Sequence, residues 1–64
     1  MNEIAQMYRR MAAIQRDAAK EWREQAKGAP EAFAFIMLRN AEANEIQADA
    51  DESRADHIEH PQRN

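Results

Sequence analysis

Cysteine is absent from this 64-residue chain, and glycine, serine and proline nearly so, with one, one and two copies. Without cysteine there is neither a disulfide framework nor a thiolate zinc site. A single glycine excludes a glycine-rich phosphate loop, and the lone serine, Ser53, does not form a nucleophile constellation with a histidine and an acid. Long apolar runs are missing too. The longest, Ala32 to Leu38, has seven residues, against about 20 needed to cross a bilayer. The opening Met1-Asn2-Glu3-Ile4 lacks the basic-then-apolar order of a secretory signal. A mass of 7.4 kDa leaves room for one small unit, and such units bury only about 60% of their unfolded surface, too little to enclose a catalytic pocket. These absences predict a soluble cytoplasmic protein that is not an enzyme, carries no cofactor and does not engage a membrane.

What is present is helix-forming. Alanine supplies fourteen residues, and glutamate, glutamine, arginine and methionine fill much of the remainder. The breakers cluster at Lys27-Gly28-Ala29-Pro30-Glu31. There Gly28 suits the left-handed residue past a helix end, and Pro30 suits the first position of the next helix. Lys27 and Glu31 complement the two helix dipoles. The pattern predicts an all-α antiparallel two-helix hairpin. Its first helix covers about 3–27, the turn 28–30, the second helix about 30–57, and a frayed polar tail 58–64.

At ~100° per residue, Ile4, Met7, Tyr8, Met11, Ile14, Ala18, Trp22 and Ala26 fall on one stripe of the first helix, the expected seam. Phe33, Ile36, Asn40, Ala43, Gln47 and Ala50 form the facing stripe of the second. Yet residues 32–38 are apolar all round, and one neighbouring helix shelters only one side of them. Phe35, Met37, Leu38 and Ile46 are therefore the expected partner or dimer interface. A lone hairpin buries little apolar area against the ordering cost of about 1.5 kcal/mol per residue, so the expected state is a homodimer forming a four-helix bundle.

Charge divides along the chain. Residues 1–28 carry six basic and four acidic groups, net +2; residues 29–64 carry three and eight, net −5. Folding at the turn is expected to bring Arg16 to Glu42, Asp17 to Arg39 and Arg10 to Asp49, pairs that bias register more than they stabilise.

Two charged stripes carry the functional readings. Glu42, Glu45, Asp49, Glu52 and Asp56 form an acidic ridge with the spacing and sign of a short nucleic-acid backbone, suited to steering onto a basic groove. Arg9, Arg16, Lys20, Arg23 and Lys27 run over about 27 Å of helix. With Tyr8 they offer an alternative surface for RNA, although a net charge of −3 opposes phosphate. His57 and His60 stand at metal-sharing spacing, but at a helix end without a supporting shell, so no metal is expected. The leading expectation is a small acidic interaction module that binds itself and inhibits or adapts a larger protein. Its size and composition suit a phage or mobile-element inhibitor of a host regulator or defence complex. An RNA-binding hairpin dimer and a structural subunit of a larger assembly are the alternatives.

Overall fold

Asn2 sets where the first helix begins. Its backbone is extended (φ −84°, ψ 119°), and its Oδ1 accepts the N–H groups of Ile4 and Ala5 at 2.9 and 3.2 Å. This satisfies two donors that a helix start leaves unpaired. In the computed structural model, which describes residues 2–61, helix α1 then runs over Glu3–Lys27 and helix α2 over Glu31–Glu59. The chain is an all-α antiparallel hairpin.

The turn differs in detail from the sequence expectation. Gly28 has φ −101°, so the left-handed cap is not used. Instead the last turn of α1 tightens: the Gly28 N–H donates to the Gln25 carbonyl at 3.2 Å, and the Ala29 N–H to the Ala26 carbonyl at 3.3 Å. Pro30 is the N-cap of α2 (φ −55°, ψ 150°) and not its first helical residue. It has no side-chain acceptor, but its carbonyl takes the N–H groups of Phe33 and Ala34 at 3.0 and 2.8 Å. At the far end α2 continues through Ile58 and Glu59, where a frayed tail was expected, and the His60 N–H closes it on the Asp56 carbonyl at 2.7 Å. The rest of that tail, residues 62–64, lies outside the described residues.

The helices meet through their smallest side chains. Ala5, Ala12 and Ala19 of α1 and Ala41, Ala48 and Ala55 of α2, each spaced by seven, are 0–2% exposed and form the buried apolar core among the described residues. Residues between them on the same stripes, namely Tyr8, Gln15 and Trp22 on α1 and Met37, Asn44 and Ile58 on α2, are half-buried. A seven-residue repeat keeps one line of an α-helix against its partner, and methyl groups let the backbones lie close. Tyr8 and Trp22 of the expected seam lie in it, but its large aliphatic residues and Phe33 do not. Ile4, Met11 and Phe33 each immediately precede a seam alanine. They and Met7, Ile14 and Ile36 stand outside, 42–67% exposed.

One acid interrupts the methyl line. Asp51, between Ala48 and Ala55, is 0% exposed, and neither of its carboxylate oxygens has a hydrogen-bond partner among the described residues. Its nearest charge is the Arg54 guanidinium at 3.6 Å.

Candidate interaction face

Once alanine takes the seam, heptad geometry dictates both sides of the hairpin. Four residues after seam alanines stand Arg9, Arg16 and Arg23 on α1 and Glu45, Glu52 and Glu59 on α2. In an antiparallel pair the same offset on both helices falls on the same edge, and there the charges meet. Arg9 bridges Asp56 at 2.9 Å and Glu59 at 2.6 Å; Arg16 bridges Asp49 at 3.1 Å and also Glu52; Arg23 bridges Glu45. The Arg16 guanidinium is held above its ordinary pKa, first by its hydrogen bond to Glu52 and then by that to Asp49.

This ladder corrects the expected register. Arg16 finds Asp49 and Glu52, well beyond Glu42. The reason is directional. Helical side chains lean toward their own N-terminus, so arginines on α1 lean toward the open end while acids on α2 lean toward the turn. They converge only when the acid lies nearer the open end than the arginine. Counting straight across from Gly28 ignores that tilt.

The ladder also joins the two stripes that carried separate functional readings. Glu45, Asp49, Glu52 and Asp56 of the acidic ridge are paired with Arg9, Arg16 and Arg23 of the basic stripe. Glu42 is exposed with no ion-pair partner among the described residues, Lys20 is exposed, and Lys27 pairs with Glu24 at 3.1 Å on its own helix. Tyr8 is half-buried, with the Arg54 guanidinium over its ring at 5.9 Å, so its face is already covered.

The residues expected as one interface are dispersed. Met37 is half-buried in the seam. Phe35 and Leu38 are exposed on the ladder edge near the turn, where Arg39 lies over the Phe35 ring at 5.8 Å. Ile46, the most exposed large apolar residue at 69%, points away from α1. Met37 is thus separated from the other three.

The opposite edge carries others. One residue before each seam alanine, and three after those, α1 presents Ile4, Met7, Met11 and Ile14, while α2 presents Phe33 and Ile36. By helix position all six lie on the side away from the ladder, Ile4, Met7, Met11 and Ile14 toward the open end and Phe33 and Ile36 at the turn end, and Ile4, Met7, Tyr8 and Met11 line a shallow apolar hollow there. Six of the nine exposed large apolar residues among the described residues lie on this side. The signal was present in the sequence: alanine at 5, 12, 19 and 26 and at 34, 41, 48 and 55 marks a seam by its period, with arginine and glutamate repeating at the same interval on one flank only.

Ser53, Asp56, His57 and His60 line a second open hollow, yet among the described residues no group of three or more His, Asp or Glu side chains is placed to hold a metal. No helix is long and apolar enough to cross a membrane. Neither a protein-family model, a curated protein nor a solved structure matches this chain.

Proposed function

We propose that this chain is a non-enzymatic protein-interaction module whose working surface is the broad face carrying Ile4, Met7, Met11, Ile14, Phe33 and Ile36. One observation carries the reading. The buried apolar core is alanine, while the large apolar side chains lie on the outside. Leaving such a side chain in water forgoes about 1.5–3 kcal/mol relative to burial, and Ile4, Met7 and Met11, which with Tyr8 line one hollow, make an apolar patch of the kind that marks an interface. The ladder edge supports the same reading by contrast. Its three arginines are paired with five carboxylates, which leaves no spare positive charge on the ladder to grip RNA phosphate. Inhibition or adaptation of a larger protein is the finer form of the proposal. Phe35 and Leu38, exposed beside unpaired Glu42 at the turn end, are the residues available for that second contact.

Methionine footprinting tests it. In an uncovered hairpin, Met7 and Met11, at 58% and 42% exposure, oxidise with peroxide almost as fast as in the unfolded chain. If the face is a working surface, mass spectrometry finds both protected in the folded protein, alone or with its partner added. Oxidation of both at the unfolded rate under every condition refutes the proposal.

A further inference from the structure

We infer that the occupant of this face is a second copy of the same chain, turned end for end so that the turn of each copy lies over the open end of the other. The inference rests on the interaction reading above and adds the identity and orientation of the partner.

The arrangement of residues along the face argues for it. On α1 the large apolar residues, Ile4 to Ile14, occupy the open end, and toward the turn the same stripe becomes Ala18, Glu21 and Gln25. On α2 the order reverses. Phe33 and Ile36 sit at the turn end, and the stripe becomes Arg54 and His57 at the open end. The face therefore has an oily diagonal and a polar diagonal.

Two closed two-fold arrangements bring this face against itself. With the axis along the hairpin, like ends coincide. Arg54 and His57 of both copies then converge at one end and both Glu21 side chains at the other, and each apolar cluster meets only its own duplicate. With the axis across the hairpin, opposite ends coincide. Ile4 and Met7 of one copy then share a layer with Phe33 and Ile36 of the other, and Arg54 shares it with the other copy's Glu21. Each end layer then combines the α1 cluster of one copy with the α2 cluster of the other, and opposite charges share a layer where like charges would have. Arg54 and Glu21 are both exposed in the single hairpin, where Arg54 lies 3.6 Å from Asp51 and over the Tyr8 ring.

Size agrees. The hairpin measures 49 × 23 × 10 Å over its Cα atoms, so this face offers on the order of 1,000 Å², above the roughly 800 Å² per partner of a standard stable interface. Need agrees as well. A hairpin whose fully buried residues are six alanines and Asp51 has a small core, which a second copy enlarges.

The full chain has no cysteine, so Lys27→Cys introduces a single nitroxide site near the turn, on an exposed position. Light scattering gives the mass, and pulsed electron resonance gives the distance between labels. The inference expects twice 7.4 kDa and labels about 35–40 Å apart, the span of 24 helical residues. Labels within about 20 Å overturn the orientation. A folded monomer overturns the inference outright; if Met7 and Met11 are then protected only when another protein is supplied, the interaction reading survives without it. Ile14→Asp is expected to weaken association about a hundredfold, since both copies lose a buried side chain, while Ile46→Asp leaves it unchanged. Equal weakening by both also overturns the inference.

Discussion

Gly28, Asn2 and Asp51 have local roles that single substitutions expose. Gly28 adopts a negative φ, and a Cβ built there meets nothing within 4 Å. Its flexibility is therefore unused in the folded state. Gly28→Ala should raise stability by about 0.4–1 kcal/mol by restricting the unfolded chain, read as a higher urea midpoint with unchanged slope. Asn2 is the reverse case. Removing the Oδ1 that holds Ile4 and Ala5 in Asn2→Ala should cost about 1 kcal/mol. Asp51 is a buried carboxylate without a hydrogen bond, which carries a desolvation cost of roughly 1–3 kcal/mol or more. Asp51→Ala extends the methyl line and should raise the melting temperature. A fall would mean that Asp51 is needed to fix which faces of the helices meet, a recognised use of buried polar groups.

At the scale of the helices, the two edges of the hairpin do different work. The arginine ladder is exposed, so it sets register more than stability. A double-mutant cycle on Arg23 and Glu45, both about two-fifths exposed, should give a coupling of about 0.2–1 kcal/mol that shrinks as salt is added. On the alkaline side the ladder is insensitive. Arg16's raised pKa means its contribution is complete below the ordinary guanidinium value and is lost only as pH climbs through the still higher folded one. The alanine seam is sensitive instead. Ala48→Leu adds hydrophobicity but forces the close-lying helices apart, and overpacking of this kind costs about 1–3 kcal/mol. Chemical denaturation that showed Ala48→Leu to be stabilising would mean the helices are not held at alanine spacing.

For the molecule as a whole, the hairpin was legible from a few residues. Gly28 and Pro30 stand alone in a helix-forming chain, and the charge imbalance between its halves foretold an antiparallel pair. The seam was not legible from hydrophobicity, because the stripe of Ile4, Met7, Met11 and Ile14 lies only one residue, about 100°, from the alanine stripe and outweighs it in apolar area. Size pointed to the wrong line; the strict seven-residue period of alanine, shared with Arg9, Arg16 and Arg23, pointed to the right one. Phe35, Leu38 and Ile46 were correctly read as exposed, but α2's apolar residues are spread almost evenly round it, so exposure did not place them on one surface. In the same way Asp51 was invisible among the eight acids of the second half, since only the period of the seam distinguishes it.

On the proposed reading, an alanine-cored hairpin draws its stability from what covers its outer apolar face. Thermal unfolding followed by circular dichroism across a hundredfold range of protein concentration tests this most directly. If a second copy supplies the cover, the midpoint rises with concentration, as mass action requires when folding and association are linked. A sharp, reversible transition at one temperature throughout that range would contradict the account.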